Sequence, residues 1–497
     1  MGQQSHLDSI LIIGAGVFGL STTLALLSNS QYNRTKIILV DPFLPTLYND
    51  YLGVHNSRPT QNLHAASIDS SRIIRPDYAK PAYARLASLA QQKWRDGFGT
   101  NLDELEDVVY RESGIVLTAD KEGSSYVDEA RENTERLGCH VESLKGRADV
   151  EKKVLGTVGR SGSGIGENGY ANWGSGWANN GKAMERFMTT VVERARERGG
   201  VRFERGKVTR LLYDCGDNST EQQREKKVVL GAEMENRQAI QADLTIVAAG
   251  AWSGALVDLR GRAEARGQVM AYVPLTDTES QELKNMPVLI NLSTGMFIIP
   301  PVRDAITGEY VLKVARHSYG YANPTTVTPE GVQITSSLPH AKFAPIPKEG
   351  EYACRQFLQH VLPKLGKRAF SSTRLCWYTD TPSGDFIVSY HPYYAGLFLA
   401  TGGSGHGFKF LPVLGEKIVA SIEGRLEEEL AQLWQWSDEG GEERRRETQT
   451  EGEGEGPERT HFDGTEDGSR SGIKGAVLEE EWRRDEDSGK GVERSKL

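Results

Sequence analysis

The clearest pattern of hydrophobic positions lies near the amino terminus. An apolar run at residues 10–13 meets the turn Gly14-Ala15-Gly16-Val17-Phe18-Gly19, and a segment with helical apolar spacing follows. A second apolar run at residues 37–40 ends at Asp41. This order predicts strand, tight turn, helix, second strand and acid, which is the arrangement of a dinucleotide-binding unit.

Each residue type of this unit has a physical role. Gly14 permits the tight turn, Gly16 lets the backbone approach a pyrophosphate, and Gly19 lets the helix pack closely on the sheet. The pyrophosphate then meets the positive amino-terminal end of the helix. A carboxylate at Asp41 accepts hydrogen bonds from a ribose and disfavours a 2′-phosphate, so the unit predicts FAD or NAD rather than NADP.

The rest of the chain alternates between helical and strand patterns. Helices are predicted at residues 83–94, 125–137, 181–198 and 413–423, and the glycine-rich residues 162–176 are predicted to form a loop. From residue 266 to residue 321 strand patterns follow one another with few helices, which favours a separate antiparallel sheet. The predicted strands are at residues 108–118 (a pair), 201–212, 242–249, 268–273, 296–300, 310–315, 386–388 and 397–400.

A second strand, glycine loop and helix follow near residue 400. The loop reads Thr401-Gly402-Gly403-Ser404-Gly405-His406-Gly407 and precedes the predicted helix at residues 413–423. Exposed N–H groups of such a loop, together with a helix amino terminus, form a cradle for an anion or a carbonyl oxygen.

Three basic residues have two interpretations on spacing alone. Arg72 and Arg75 flank Ile73-Ile74. The two arginines either lie on a solvated face or direct both guanidinium groups at one anion. The spacing alone favours the solvated face. Lys313 shares one strand face with Val311 and Ala315, and the alternation favours an outward, solvated lysine over an inward charge.

Composition narrows the class of protein. The 497 residues are 38% hydrophobic and 26% charged, which is typical of a globular protein with more than one domain. The net charge of -9 argues against nucleic acid as a partner, and no apolar run approaches the length of a membrane span. The four cysteines are scattered without a CxxC pair, so neither a disulfide framework nor a metal site is predicted.

The carboxyl-terminal region differs in composition from the rest. After residue 436 the sequence consists largely of Glu, Gly, Arg, Asp and Ser, and such a composition predicts a disordered acidic tail over residues 437–497. The last three residues, Ser495-Lys496-Leu497, match the peroxisomal address that an import receptor reads. We therefore expect a peroxisomal location.

Several motifs together resemble those of one family. They are Gly14-Ala15-Gly16-Val17-Phe18-Gly19, Ser71-Arg72-Ile73-Ile74-Arg75, Gly250-Ala251-Trp252, Cys376-Trp377-Tyr378-Thr379 and Ser404-Gly405-His406-Gly407-Phe408-Lys409. With them the chain resembles the sarcosine oxidase-like flavin amine oxidases, including fungal saccharopine, pipecolate and fructosyl amino acid oxidases, over residues 9–426.

The resemblance implies a fold and its division along the chain. The fold class is α/β, with a doubly wound, Rossmann-like FAD-binding domain and an α+β substrate domain built on an antiparallel sheet. The FAD-binding domain would comprise residues 1–85, 158–255 and 372–436. The substrate domain would comprise residues 86–157 and 256–371.

The resemblance also assigns roles to individual residues. Arg75 and Lys409 would bind the substrate carboxylate, and the roles implied for Arg72 and Lys313 replace their solvated interpretations. Lys313, Arg72 and His317 would be catalytic, with Lys313 promoting the reaction with O₂, and Cys376 would attach covalently to the 8α-methyl of FAD. The implied cofactor contacts are Gly14, Gly16, Val17, Phe18, Gly19, Asp41, Ser71, Arg72, Val208, Gly250, Cys376, Gly403, Ser404, Gly405, His406, Gly407 and Lys409.

The implied activity is the oxidation of a C–N bond to an imine, with O₂ reduced to H₂O₂. Suitable substrates are secondary-amine or N-alkylated amino acids of the saccharopine, pipecolate or sarcosine type. Ile68 stands where sarcosine oxidases carry a histidine, and Asp69-Ser70-Ser71 departs from the fructosyl amino acid oxidase pattern. A fructosyl amino acid oxidase, a nicotinamide-dependent dehydrogenase and a non-catalytic flavoprotein remain the alternatives.

Overall fold

The computed structural model describes residues 7–44, 65–98, 108–120, 124–155, 164–214, 227–304, 308–341, 345–437 and 470–494. Within these residues the strands are β1 (Ser9–Ile13), β2 (Lys36–Asp41), β3 (Arg72–Ile74), β4 (Tyr110–Arg111), β5 (Ile115–Ala119), β6 (Val141–Lys145), β7 (Asn168–Asn172), β8 (Gly176–Ala178), β9 (Val201–Arg205), β10 (Val208–Asp214), β11 (Lys227–Met234), β12 (Ala239–Gln241), β13 (Leu244–Val247), β14 (Glu264–Leu275), β15 (Val288–Asn291), β16 (Met296–Arg303), β17 (Tyr310–Arg316), β18 (Pro324–Val327), β19 (Ile334–Ser337), β20 (Ser372–Asp380), β21 (Ile387–Tyr390), β22 (Tyr394–Ala395) and β23 (Leu397–Thr401). The helices in the same residues are α1 (Val17–Ser28), α2 (Pro81–Phe98), α3 (Ser125–Arg136), α4 (Arg147–Leu155), α5 (Asn180–Arg198), α6 (Ser253–Leu256), α7 (Asp277–Leu283), α8 (Lys348–Val361), α9 (Leu411–Ile422), α10 (Glu428–Trp434) and α11 (Leu478–Arg494).

The first sheet carries the amino-terminal glycine turn. Its strand order is β21-β23-β13-β1-β2-β9, parallel throughout except for the edge strand β21. Along β1, Ile10 and Ile12 face a layer that contains α1, α5 and α9, and Leu11 and Ile13 face the opposite side. Because both faces are covered, residues 10–13 of β1 form an unbroken apolar run, as parallel strands of buried sheets usually do.

The second face of this sheet is covered by strands rather than helices. A small sheet of β10, β11 and β12, which β22 extends, packs there. Val208 at the start of β10 shares this core with Leu11 and Ile13. The glycine turn therefore lies at the carboxyl ends of β1 and β2, at the edge of a parallel sheet whose second face is covered by this small sheet.

The second large sheet has eight strands in the order β20-β14-β17-β16-β15-β5-β7-β6. All its pairings are antiparallel except β15 with β5. One face packs on α8 through residues such as Val269 and Leu312. The other face carries Cys376, Tyr272 and Phe297. This second face closes the region in front of the glycine turns.

The predicted combination of a mainly parallel α/β sheet and a separate antiparallel sheet is confirmed. Three elements pair or pack across the predicted division between the domains. Strand β7, placed with residues 158–255, pairs with β5 and β6, and β20, placed with residues 372–436, pairs with β14. Helix α2 packs with the core of the first sheet although residues 86–98 were assigned to the other domain. The positions of these elements depend on pairing and packing between residues that are distant in sequence, and local sequence patterns do not indicate such contacts.

The predicted loop at residues 162–176 is wrong because part of it is β7 and the start of β8. A side chain at Gly169 would overlap the Leu117 carbonyl of the neighbouring strand, so the glycine permits a close strand approach.

The predicted disorder of residues 437–497 is wrong for residues 470–494. Buried Arg470 forms an ion pair with Asp380, and Ala476 and Leu478 join the core beside α8. One buried ion pair and a few apolar contacts dock this segment despite its polar composition. Ser495, Lys496 and Leu497 lie outside the described residues.

Two features are absent from the described residues. Among them no helix combines the length and apolarity that crossing a membrane requires. In the same part of the chain, no group of three or more His, Cys, Asp or Glu side chains is arranged to hold a metal ion.

Candidate active site

The amino-terminal glycine turn has the geometry that a pyrophosphate needs. Gly14 has a φ of 108°, and a side chain there would overlap the Ala248 carbonyl. At Gly16 a Cβ would have only the Ser67 hydroxyl nearby, at 3.7 Å, so the approach to the backbone is open. Gly16 caps α1 without a side-chain hydrogen bond, which leaves the first N–H groups of the helix for an anion.

Asp41 is held at this turn by two backbone amides. Its carboxylate accepts hydrogen bonds from Ala15 N at 3.0 Å and Phe43 N at 2.9 Å. Burial raises the pKa of Asp41, and the two amides oppose that rise in part. The carboxylate is therefore oriented beside the turn before any ligand binds.

Other predicted cofactor residues lie around the same edge. The backbone around Gly250 follows β13, and Ala248 N donates to Ile13 O at 2.9 Å. Val208 begins the strand that follows Gly206, whose N–H donates to Asp41 O at 3.2 Å. The structure thus brings Val208 and Gly250 to the carboxyl edge of the first sheet.

The second glycine loop faces the first. Gly402, Ser404 and Gly405 all have positive φ, of 73°, 44° and 79°. A Cβ at Gly403 or Gly407 would lie 3.3 or 3.2 Å from the Phe18 ring, and one at Gly405 would overlap the Tyr378 ring. At these three glycines the loop is therefore packed closely against Phe18 of α1 and Tyr378 of the eight-stranded sheet.

A buried cluster of charges lies on the inner face of the eight-stranded sheet. Asp69 forms ion pairs with Arg72 and with Lys313, whose Nζ lies 2.5 Å from the Asp69 carboxylate. The Tyr272 hydroxyl donates to Asp69 at 2.6 Å, and Lys313 also donates to Ser71 O at 2.8 Å. Lys313 is only 1% exposed, so the outward interpretation from strand alternation is wrong.

These contacts shift the pKa values in opposite directions. Burial alone would raise the pKa of Asp69, but the cations Arg72, Lys313 and Arg374 together outweigh it and hold the pKa well below its usual range. Burial lowers the pKa of Lys313 to about 8, although Asp69 opposes the change. Asp69 is therefore ionised at neutral pH, and Lys313 changes its charge close to that pH.

Cys376 lies at the edge of this cluster. Its side chain is buried in β20, and Arg72 Nη2 lies 3.1 Å from the sulfur. Nearby, the buried Ser71 hydroxyl has no hydrogen-bond partner among the described residues. Such an orphaned group and the open glycine turns fit a polar cofactor held between the two sheets.

A cavity opens between this cluster and the second glycine loop. Its described lining contains no acidic side chain. The basic lining residues are Arg72, Arg75, Lys313, His317, His406 and Lys409. The apolar lining residues include Ile290, Leu292, Phe297, Ile299 and Phe408. The structure therefore brings the predicted catalytic and substrate-binding residues to one cavity, and the solvated interpretation of Arg72 and Arg75 is wrong.

Three residues at this site were not singled out from the sequence. Asp69 links Arg72 to Lys313, Tyr272 donates to Asp69, and Tyr78 accepts from Lys409 at 2.7 Å. An aspartate three positions before Arg72 is a weak local signal. The two tyrosines give none, because their roles depend on contacts between distant segments.

Known proteins share both the sequence and the fold. The chain is 34% identical over 470 residues to the amino acid oxidase imqH of Aspergillus flavus, covering 83% of this chain and 92% of that protein. It is 28% identical over 438 residues to the L-saccharopine oxidase of Schizosaccharomyces pombe, covering 87% and 93%. The crystal structure of the fructosamine oxidase Amadoriase II from Aspergillus fumigatus matches with a TM-score of 0.66 and 26% identity, covering 88% and 90%.

The family model described as FAD dependent oxidoreductase, DAO, matches residues 9–421. That span includes both glycine loops, Asp69, Lys313 and Cys376. The predicted resemblance to FAD-dependent amine oxidases is confirmed, and this chain belongs to the DAO family of FAD dependent oxidoreductases.

Proposed function

We propose that this protein is an oxidase of secondary-amine or N-alkylated amino acids with an apolar side chain. The observation that carries the proposal is the composition of one cavity. Arg75 and Lys409 line it together with Lys313 and an apolar wall. A carboxylate, an amine and a hydrocarbon side chain each meet a suitable surface there.

The residues around the two glycine loops would hold FAD. The first turns at Gly14–Gly19 and the α1 terminus suit the pyrophosphate, Asp41 suits the ribose, and the loop at Gly403–Gly407 suits the flavin ring. When bound, FAD would accept a hydride equivalent (two electrons and one proton) from the carbon of the C–N bond, the second proton would leave from the amine nitrogen, and O₂ would take up two electrons and two protons to give H₂O₂.

The protein's own residues bind and orient the amino acid. Arg75 and Lys409, 1% and 4% exposed, supply two buried cations for one carboxylate. A bidentate guanidinium contact fixes orientation as well as position, and orientation supplies much of the barrier reduction. Lys313 provides a cation at the inner face of the sheet, where negative charge develops on oxygen during its reduction.

The cavity wall discriminates among the candidate side chains. Ile290, Leu292, Phe297, Ile299 and Phe408 offer no hydrogen bond from their side chains to a polyol. The similarity to a solved fructosamine oxidase supports the fructosyl amino acid alternative, but a sugar hydroxyl would lose its hydrogen bonds to water at this wall. A cyclic or N-methylated apolar amino acid of the pipecolate type fits better.

Anaerobic titration of the purified protein tests the substrate class. Pipecolate, N-methylleucine and N-methylphenylalanine should bleach the visible flavin absorbance at lower concentrations than saccharopine, sarcosine or fructosyl-lysine. Preferential bleaching by fructosyl-lysine would favour the alternative. Bleaching by NADH alone would indicate a nicotinamide-dependent enzyme, and no bleaching by any amine would indicate a non-catalytic flavoprotein.

We also propose that FAD is attached through Cys376. The sulfur is buried on the inner face of β20 within hydrogen-bond distance of Arg72. Acid precipitation of the wild-type protein should leave the yellow colour in the pellet, and Cys376→Ala should release it. Cys354→Ala is the matched control, because Cys354 is equally buried but lies in α8 behind the sheet. Colour that washes out of the wild-type pellet would contradict the link.

The proposed location is the peroxisome, where H₂O₂ can be removed. The support is the terminal Ser495-Lys496-Leu497 and a 25% identity over 442 residues to the peroxisomal sarcosine oxidase of Homo sapiens. The proposed partners are the amino acid substrate, O₂ and the import receptor that reads this terminus.

A further inference from the structure

Tyr78 lies between the two cations that are proposed to bind the substrate carboxylate. The Arg75 guanidinium carbon lies 5.1 Å from the centre of the Tyr78 ring, and Lys409 Nζ lies 4.9 Å from it. Lys409 Nζ also donates a hydrogen bond to the Tyr78 hydroxyl at 2.7 Å. Tyr78 has no exposed surface, so water does not replace these contacts.

His406 fixes the direction of the Tyr78 hydroxyl proton. His406 Nε2 lies 2.8 Å from the Gly384 carbonyl, which can only accept, so Nε2 carries a proton. In the neutral imidazole Nδ1 is then the acceptor, and it lies 2.9 Å from the Tyr78 hydroxyl. The hydroxyl donates to His406, and its lone pairs are left for Lys409.

Packing holds this chain of groups in place. The His406 ring stacks on Phe386 with centroids 4.7 Å apart, and the Tyr78 ring stacks on Tyr83 at 5.5 Å. His406 is 1% exposed. Neither ring can turn without displacing a neighbour in the core, so the hydroxyl oxygen presented to Lys409 has a fixed position.

The arrangement also offsets an electrostatic cost. Two buried cations aimed at one cavity repel each other before a carboxylate arrives, and the repulsion is stronger than in water. The face of an aromatic ring attracts cations, and the attraction is stronger when the contact is shielded from water. Tyr78 offers its ring to Arg75 and both ring and hydroxyl to Lys409.

We propose that Tyr78, with its hydroxyl directed by His406, is the positioning residue of the carboxylate-binding pair Arg75 and Lys409. The inference rests on the proposed function, because it assumes that this pair binds the carboxylate. Tyr78 does not touch the reacting bond. Its removal therefore weakens binding of the carboxylate more than it slows electron transfer from a saturating substrate.

Binding of benzoate to the oxidised holoenzyme tests the proposal without turnover, since a bound ligand perturbs the visible flavin spectrum. In Tyr78→Phe we expect the Kd of benzoate to rise about tenfold, as for loss of a hydrogen bond to a charged group. KM of the amino acid should rise similarly, and the rate of flavin reduction at saturation should change less than about twofold. Tyr321→Phe is the matched control and should leave Kd unchanged, because Tyr321 is also buried but donates to Glu349 on the opposite face of the eight-stranded sheet.

Two further variants keep the test decisive if Tyr78→Phe folds poorly. His406→Leu removes the acceptor for the hydroxyl and should raise Kd, whereas His406→Asn supplies an oxygen near the Nδ1 position and should restore it in part. An unchanged Kd in folded Tyr78→Phe would overturn the proposal, and if that variant does not fold, an unchanged Kd in His406→Leu would overturn it.

Lys409→Met separates failure of this inference from failure of the proposed function. If Lys409→Met weakens benzoate binding but Tyr78→Phe does not, the pair binds the carboxylate without Tyr78 and only the inference falls. If Lys409→Met has no effect, the carboxylate site itself is misplaced and both fall. If both single variants weaken binding and the double variant is no weaker than Lys409→Met, the coupling is confirmed.

Discussion

A single buried carboxylate pairs with two of the residues that are proposed to be catalytic. Asp69 has a fully buried side chain and pairs with both Arg72 and Lys313. Without these cations, an ionised carboxylate at this buried position would destabilise the folded protein, because burial disfavours its charge. With its cations in place it stays ionised and holds Lys313 on the inner face of the sheet.

Lys313 gives the first prediction. Lys313→Met should slow the reaction of the reduced enzyme with O₂ by about 10²–10³-fold, because a preorganised cation near developing charge is lost. Anaerobic reduction by the amino acid should change much less. Stopped-flow measurement of the two half-reactions distinguishes these effects. Lys93→Met is the control, since Lys93 is a half-exposed lysine paired with Glu416.

The pH dependence follows from the same group. Burial lowers the pKa of Lys313 to about 8, so its ammonium is present below that pH and lost above it. The reaction of the reduced wild-type enzyme with O₂ should therefore fall as pH rises through about 8. Lys313→Met should lack this step. A step of equal size in Lys313→Met would assign the titration to another group.

Local spacing predicted the backbone geometry of the first glycine turn but not the inward direction of the Lys313 side chain. The roles of Gly14, Gly16 and Gly19 depend on local backbone geometry, and the spacing of these glycines in the sequence indicates that geometry. The inward direction of Lys313 depends on which face of β17 meets the other sheet, and alternation alone favoured the wrong face. Asp69 and Tyr78 acquire their roles from partners more than 200 positions away, Lys313 and Lys409.

At the scale of elements, helices α1 and α9 cross at a point where a side chain cannot fit. A Cβ at Gly415 would overlap the Ser21 carbonyl of α1, and Gly415 N donates to the Ser21 hydroxyl at 2.6 Å. Ser21 is itself buried beneath α9 and donates to Leu411 O at 2.8 Å. The contact places the second glycine loop relative to the first, since each loop precedes one of these helices.

Gly415→Ala should therefore destabilise the protein. Overpacking at a helix crossing costs about 1–3 kcal/mol, and thermal unfolding should show a lower midpoint with weaker FAD retention. Gly97→Ala is the matched control, because Gly97 is exposed in α2 with open space around its Cβ position. It should stabilise by about 0.5–1 kcal/mol through helix propensity. Equal midpoints for the two variants would contradict the close crossing.

The carboxyl-terminal segment is a second element whose contribution can be measured. Arg470 donates to both Asp380 oxygens, at 2.6 and 3.0 Å, and to Ser318 O at 3.0 Å. Arg470→Met would leave the Asp380 carboxylate buried and unpaired, which costs about 3–5 kcal/mol.

Chemical unfolding of the holoenzyme should detect this loss. Arg483→Met serves as the control, because its pair with Glu479 is largely exposed at 71% and 61% and should contribute less than about 1 kcal/mol. Similar stability for Arg470→Met and wild type would show that the segment does not dock. Composition predicted disorder for this segment because an average over many polar residues hides the few that contact the rest of the protein, such as Arg470 and Leu478.

At the scale of the whole molecule, the two large sheets are interleaved along the chain. Residues from both ends and from the middle meet at one cavity, for example Arg75, Lys313 and Lys409. The motifs were sufficient to predict the cofactor family, since each motif is local. They could not place β7, β20 and α2, whose partners lie far away in sequence.

The proposed peroxisomal location depends on the tripeptide at residues 495–497. A fluorescent protein fused to the amino terminus of the full sequence should accumulate in peroxisomes, and deletion of residues 495–497 should make it diffuse. Deletion of residues 451–453 is the control, because it shortens the acidic segment and leaves the terminal tripeptide intact. A diffuse signal from the full sequence would contradict the proposed address.

The most direct test of the central claim compares an amino acid with its decarboxylated amine. N-methylphenylalanine and N-methylphenethylamine share the amine and the apolar side chain, and only the first has a carboxylate for Arg75 and Lys409. Under anaerobic conditions the amino acid should bleach the flavin absorbance at concentrations where the amine does not, and admission of O₂ should yield one H₂O₂ per flavin reoxidised. Equal bleaching by both compounds, or bleaching by neither, would contradict an amino acid oxidase that binds its substrate through this pair.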